Sequence, residues 1–493
     1  MELNIDQRGS MSLYEYIYQQ IKGSILNGAI SSDEHLPSKR RLAGDLGVSL
    51  ITVEKAYDQL MAEGFVYAKP RQGYYASPLP EHPRQVEMVS VPPHEHATTQ
   101  AEPFAAEDFD RDLSPAPVSK TGGNFIRFDL ASPSSIAGEA GARLWSKALR
   151  SALASEPESE LYGMSPAQGS LRLRRAIAHH LSASRGMEVD PACVVIGAGA
   201  QLLDVQLAQL FGTTRTFAVE DPGYLRLTRI YQALGARVRH IAMDGQGASV
   251  DELTAKRVDI FHLMPSHQFP TGKVTSIARR YELLGWAASS TDRYLIEDDY
   301  DCEFRLAGRP VPPLASIDAS ERVVYSNTFS RSLSSALRLA YMVLPRSLME
   351  RYQQTLSFYS STVSTVDQIV LARLLEDGLY ERHVNRIRKR QRDARDEFVG
   401  ALGSSCLGAR LDFEEADSGM HFVLAIDDPR SEKKLADIAL GYGVKLTPLS
   451  SFAWCKEHAR RIDGLKRFVI QYGGIVQNNL APAARALARA WGA

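Results

Sequence analysis

From about residue 124 onward, short apolar runs alternate with helical stretches, and each run gives way to a polar cluster. The runs are Val194-Val195-Ile196, Phe217-Ala218-Val219, Ile260-Phe261-His262-Leu263-Met264, Tyr294-Leu295-Ile296 and Val323-Val324-Tyr325. Apolar β-rich runs separated by helices predict an α/β fold, a mostly parallel sheet with helices on both faces. In such sheets ligands bind just beyond the carboxyl ends of the strands, which is where the clusters fall. The first, Gly197-Ala198-Gly199-Ala200-Gln201, opens a helix, and its small residues let backbone N–H groups approach a phosphate. The others are Glu220-Asp221-Pro222-Gly223-Tyr224, Pro265-Ser266-His267-Gln268-Phe269-Pro270-Thr271-Gly272, Glu297-Asp298-Asp299-Tyr300-Asp301 and the segment from Asn327 to Tyr341. A dinucleotide site with Glu220 or Asp221 on the ribose would use only the first two, and Leu202 stands where its third glycine belongs.

Residues 79 to 123 break the chain in two. They carry Glu81, Glu87, Glu95, Glu102, Glu107, Asp108, Asp110 and Asp112 against Arg84, Arg111 and Lys120, with prolines throughout and no apolar period. Such a stretch is too polar to bury and reads as a linker. The expected division is a small module 1–78, a linker 79–123 and a large module 124–493. At 493 residues, 44% hydrophobic and 23% charged, the chain can bury more than one core. A net charge of −1 excludes a uniformly basic coat. Cys193, Cys302, Cys406 and Cys455 form no CxxC pair, so neither a disulfide framework nor a metal site is expected. Met1 to Ser10 lacks the apolar core of a signal peptide, and no run reaches membrane-spanning length. The expectation is a cytoplasmic protein with no membrane partner.

In the small module, Tyr14, Ile17, Ile21 and Ile25 trace the apolar stripe of a first helix that stops near Gly28. Ser38 caps a second helix with Leu42 and Leu46 inward, Gly47 turns the chain, and Ser49 caps a third with Val53, Ala56 and Leu60. Two short helices across a glycine turn predict a helix-turn-helix. Residues Gly64 to Ala68 and Gly73 to Ala76 then flank the basic tip Lys69-Pro70-Arg71-Gln72, two strands of a wing.

Taken in order, Leu36-Pro37-Ser38-Lys39-Arg40-Arg41-Leu42-Ala43, Leu46-Gly47-Val48-Ser49, Thr52-Val53, Ala56-Tyr57, Leu60 and Glu63-Gly64 closely resemble the GntR family of winged-helix DNA-binding domains, over roughly residues 11 to 77. That resemblance implies double-stranded DNA as partner, read at paired operator half-sites. Ser38, Lys39 and Arg40 would hold phosphates, Ser49, Leu50 and Thr52 would lie in the major groove, and Arg71 and Gly73 would belong to the wing. Family members often carry an arginine after the capping serine; Leu50 here offers no donor to a guanine. Acidic and basic side chains balance across the module, so non-specific affinity should be modest and dimerisation should matter.

The five clusters of the large module resemble the fold-type I aminotransferase domain of the MocR subfamily of GntR regulators, His267 to Gly272 and Glu297 to Tyr300 most specifically. By that resemblance the cofactor would be pyridoxal 5'-phosphate, in a domain with a smaller α+β lobe. Ala200 and Gln201 would hold its phosphate through backbone amides, and Thr328, Ser330 and Arg338 would surround it. Tyr224 would stack on the ring, Asp298 would pair with the pyridine nitrogen, Tyr300 would approach the ring hydroxyl, and Arg226 resembles an effector-carboxylate residue. Singly, a packing tyrosine, a helix-capping aspartate or a salt-bridged arginine accounts for each; at these spacings together they point to one site.

Two residues depart from the pattern. Arg331 takes the position of the lysine whose amine attacks the cofactor aldehyde, and a guanidinium has no free lone pair for that attack. Gln471 falls where an arginine usually clamps the amino acid's carboxylate. Binding of the cofactor is therefore expected to be non-covalent at most, with no catalytic residue. The expected function is that of a homodimeric DNA-binding transcriptional regulator whose degenerate aminotransferase-like domain senses a small-molecule effector. The alternatives are an active aminotransferase with a DNA-binding appendage, for which Lys273 is the substitute anchor, and an architectural dimeriser with an empty cleft.

Overall fold

The computed structural model describes residues 11–69, 72–78, 126–132, 138–306, 311–417, 419–455, 458, 464–473 and 480–492. Pro70 and Arg71 at the wing tip and the linker 79–123 lie outside the described residues. The small module runs α1 (Leu13–Leu26), β1 (His35–Leu36), α2 (Lys39–Asp45), α3 (Leu50–Ala62), β2 (Val66–Lys69) and β3 (Gly73–Ala76). Ile17 and Ile21 of α1 are fully buried together with Val53, Ala56 and Leu60 of α3. Each large aliphatic so placed contributes roughly 1.5–3 kcal/mol. The hydroxyl of Ser38 accepts the Arg41 N–H and that of Ser49 the Thr52 N–H, which starts α2 and α3 where the sequence predicts. Gly47 takes the positive φ of 62° that the turn between them needs. β3 pairs antiparallel with both β1 and β2 to form the wing.

The far end of α3 rests on the large module, where a Cβ added at Gly64 would come 3.1 Å from the backbone nitrogen of Ile277. The first turn of α3 points away from that contact, leaving Leu50 37% and Ile51 64% exposed.

In the large module, β4 (Phe128–Asp129) precedes a seven-stranded sheet made of β5 (Val194–Gly197), β6 (Thr216–Asp221), β7 (Arg237–Ala242), β8 (Ile260–Leu263), β9 (Tyr294–Asp298), β10 (Val323–Thr328) and β11 (Ala340–Val343). Their order is β5-β11-β10-β9-β8-β6-β7, with β11 antiparallel to both neighbours and every other pairing parallel. Alternation along the strands sends Phe217, Ile260 and Ile296 into one core and Ala218, Phe261 and Leu295 into another, so helices cover both faces. A smaller lobe follows the 25-residue helix Leu379–Gly403. Its antiparallel sheet has the order β12-β13-β16-β15, from β12 (Leu411–Glu414), β13 (Phe422–Ile426), β15 (Thr447–Pro448) and β16 (Lys466–Ile470). β4 pairs parallel with β14 (Val444–Lys445), so the first described strand of the large module belongs to this late-sequence lobe. The predicted fold class holds. Among the described residues no helix is long and apolar enough to cross a membrane.

Candidate functional site

At the open end of the helix-turn-helix, the basic run Lys39-Arg40-Arg41 is unevenly available. Lys39 Nζ lies 2.8 Å from Asp58 and over the Tyr74 ring, and Arg41 faces Asp45 at 3.8 Å. Arg40 is exposed and has no ion-pair partner among the described residues, so it is the cation best placed for a phosphate. The hydroxyls of Ser38 and Ser49 are engaged as helix caps, and Thr52 Oγ1 sits 2.7 Å from Ser49 Oγ. Gly73, at the start of β3, is close-packed: a Cβ there would lie 2.7 Å from His35 Nε2. Leu50 and Ile51 present exposed apolar side chains at the front of α3, which carry no donor for a guanine edge.

In the large module, every residue assigned to a cofactor from the sequence lines one cleft of about 520 Å³ at the carboxyl ends of the strands. Ala200 and Gln201 come from the start of the helix Ala200–Phe211, Tyr224 from the end of the loop after β6, Asp298 and Tyr300 from the end of β9, and Thr328, Ser330 and Arg338 from the β10–β11 connection. Arg226 and Arg331 line the same cleft. Gly199, with φ of 91°, lets Arg338 pass close to the helix start; a Cβ there would stand 2.3 Å from the guanidinium. Thr328 Oγ1 donates to Ser330 Oγ at 2.9 Å and accepts the Ser330 N–H at 3.1 Å, which fixes the bend carrying both hydroxyls. A helix N-terminus, two hydroxyls and a guanidinium make an anion cradle.

Asp298 supplies the second pole. Its Oδ1 is buried and has no hydrogen-bond partner among the described residues. Burial, followed by Asp299 and Asp301, lifts its carboxyl to about 7, with Arg331 pulling the other way. Burial and the charge of Asp298 also push the carboxyl of Asp204, which lines the same cleft, well above the usual range. An acceptor held in the dark and lacking a donor suits a protonated ring nitrogen, so these residues fit a pyridine phosphate. Arg331 approaches the Tyr300 ring, 5.9 Å from Cζ to centroid, and forms no hydrogen bond or ion pair among the described residues. Tyr224 meets Phe269 edge-on at 6.0 Å, leaving its ring at the cleft wall.

The smaller lobe closes the cleft with residues the sequence reading missed: Ala131, Ser132, Lys445, Thr447, Ser451 and Phe452. They converge from segments more than 300 residues apart, as the Gln471 Nε2–H to Ala131 carbonyl bond of 3.0 Å illustrates, and no local pattern marks them. Lys445 Nζ lies 3.3 Å from Asp129 Oδ2. Asp204 carried a usable signal, one helical turn beyond Ala200 on the same face. Lys273 does not line the cleft; its ammonium reaches the Gly245 carbonyl at 3.3 Å.

Two groups of ligand-type side chains also gather. In the first, Asp221 accepts the N–H groups of Trp454 and Cys455 and lies 2.6 Å from His458 Nδ1, which closes it to a ribose. Burial and Asp221 raise the Cys455 thiol to about 11, away from the thiolate a metal would take. In the second, His267 Nδ1 is 2.7 Å from Asp301, and His421 Nε2 donates to the Pro270 carbonyl at 3.2 Å. Hydrogen bonds account for the first arrangement, while in the second His267 Nε2 is buried without a partner among the described residues.

Comparison with known proteins matches residues 13–75 to the bacterial regulatory proteins of the gntR family and residues 139–463 to the aminotransferases of class I and II. The chain is 34% identical over 438 residues to the uncharacterized HTH-type transcriptional regulator YdeL of Bacillus subtilis, covering 89% of each. It is 30% identical over 453 residues to the probable rhizopine catabolism regulatory protein MocR of Rhizobium meliloti, covering 91% of this chain and 88% of that one. Among solved structures, the multiple substrate aminotransferase of Thermococcus profundus superposes with a TM-score of 0.64 at 23% identity, over 76% of this chain and 92% of that one.

Proposed function

We propose a function from one premise: the chain belongs to the GntR-type HTH transcriptional regulators of the MocR kind, whose larger part is an aminotransferase class I and II domain. Regulators of this class bind DNA through the helix-turn-helix. In this reading residues 1–78 bind DNA, 79–123 link, and 124–493 dimerise and sense a small molecule in the cleft. The winged helices of two copies then meet paired half-sites, and an effector that alters lobe closure alters their spacing. Each tenfold change in DNA affinity corresponds to about 1.4 kcal/mol of coupling.

The observation that carries the sensing role is the partnerless buried Oδ1 of Asp298, set in the same cleft as the anion cradle. Pyridoxal 5'-phosphate fits both poles: Ser330, Arg338 and the amides of Ala200 and Gln201 would hold its phosphate, Asp298 its ring nitrogen, and Tyr224 its face. When bound to an enzyme that group supplies an electron sink for amino-acid chemistry. Here Arg331 contributes charge and hydrogen bonds but no nucleophile. Among the described residues the lysine that lines the cleft, Lys445, is drawn toward Asp129 instead. Cleft binding without catalysis follows.

The test adds pyridoxal 5'-phosphate to the full chain, records the absorbance spectrum, reduces with borohydride and digests for peptide mapping, with operator binding measured in parallel. Removal of the ligand by dialysis, an unmodified protein after reduction and a shifted operator affinity are the expected results. A pyridoxyl group fixed on Lys445, Lys273 or another lysine would overturn the reading in favour of an active aminotransferase.

A further inference from the structure

Among the described residues four cations line the cleft, and they are not equivalent. Arg338 belongs to the phosphate cradle, Lys445 faces Asp129, and Arg226 stands on the helix after Tyr224. Arg331 alone follows Ser330 directly in the chain while standing over Tyr300, and no carboxylate among the described residues pairs with it. In a pyridine 5'-phosphate, ring carbon 4 is opposite the nitrogen and adjacent to the carbon bearing the phosphate arm. With the nitrogen at Asp298 and the phosphate at Ser330 and Arg338, the carbon-4 substituent would lie within the cleft that Arg331 also lines.

We propose that Arg331 makes the cleft selective for pyridine 5'-phosphates carrying a carboxylate or another oxygen acceptor at ring carbon 4, and sets it against those carrying an ammonium there. This rests on the pyridine-phosphate reading of the cleft. A guanidinium donates up to five hydrogen bonds in a planar fork and pairs with a carboxylate through two of them. It cannot accept a hydrogen bond, so an aminomethyl group facing it gains no contact and meets a like charge. The sensing domain thus reports the oxidation level of the ligand's carbon-4 substituent, rewarding the acid and the aldehyde and rejecting the amine.

The test titrates the full chain by calorimetry with 4-pyridoxic acid 5'-phosphate, pyridoxal 5'-phosphate, pyridoxamine 5'-phosphate and inorganic phosphate. Parent and Arg331→Met are compared, with the melting temperature of each confirming its fold. The acid should bind the parent at least about tenfold more tightly than the amine, a difference of about 1.4 kcal/mol. In Arg331→Met both should still bind, and the ratio should collapse to within about threefold. Equal binding of acid and amine by the parent, or a ratio that survives in Arg331→Met, overturns the proposal. If none of the three pyridines binds more tightly than inorganic phosphate, the pyridine reading itself falls and takes the proposal with it. That pattern is distinct from equal binding of all three.

Discussion

Replacing Asp298 by asparagine should stabilise the ligand-free protein while weakening its hold on pyridoxal 5'-phosphate. Burial and the neighbouring Asp299 and Asp301 lift this carboxyl from 3.8 to about 7. In the unfolded chain it ionises at its ordinary value, so between those two pH values the folded state binds the extra proton and stability falls as pH rises. The penalty is absent below the unfolded value and complete above the folded one. At about 1.4 kcal/mol per pH unit, it amounts to roughly 4 kcal/mol. Asp298 borders an open cleft, and solvent there screens part of the cost, so a gain of about 1–2 kcal/mol at about pH 8 is expected. At about pH 5 most of the gain should vanish, because there the parent carboxyl is protonated when folded and only partly outweighed by ionisation of the unfolded chain. Glu297, raised to about 7, titrates over the same range but is common to both proteins and cancels in the difference, whereas Glu220, raised to about 8 in part by the charge of Asp298, is eased in the variant and adds to the gain at the higher pH. Urea unfolding of ligand-free parent and variant at both pH values, with a binding titration at the higher one, measures all three effects. A variant less stable at the higher pH, or one with an equal gain at both, would refute the electrostatic argument. Undiminished binding would remove Asp298 from the ring-nitrogen role.

Gly199→Ala places a Cβ against the Arg338 guanidinium at a φ of 91°, so phosphate-dependent ligand affinity should fall by about tenfold or more with the fold retained, as calorimetry and thermal melting would show. Arg40→Ala should weaken binding to an operator selected from random duplexes and to unrelated DNA alike, and lower the salt slope by about 1 in a fluorescence titration. Ile51→Ala and Leu50→Ala should leave that slope intact but cost about 1 kcal/mol on the operator alone; replacing contacted thymines by deoxyuridine in the parent complex should reproduce the loss.

The strand-to-cluster rhythm of the large module was legible because each apolar run ends at the sheet's carboxyl edge, where Asp298 and Tyr300 then stand within reach of Thr328 and Ser330. The helix caps at Ser38 and Ser49 were legible for a similar reason: a cap acts within one turn. Contacts across the fold were not. Nothing in the run Lys39-Arg40-Arg41 tells that Lys39 is held by Asp58, nineteen positions on, while Arg40 is left to the solvent. The wall formed by Lys445, Thr447 and Phe452 depends on how the two lobes meet, which periodicity does not encode. The antiparallel β11 was likewise hidden, since an apolar run does not reveal its direction.

The pairing of β4 with β14 has a mechanical consequence. Phe128 and Asp129 are hydrogen-bonded alongside Val444 and Lys445, and Ala131 and Ser132 continue straight into the cleft wall. Among the described residues, the chain beyond the winged helix therefore first joins the large module on the lobe that lines the cleft, rather than on the seven-stranded sheet. Any rotation of that lobe about the sheet drags the point where the chain is fastened, as a crank moves its rod. The displacement is delivered without a relay of side chains through the core, and its size is set by the angle of rotation and the distance from the hinge to Phe128.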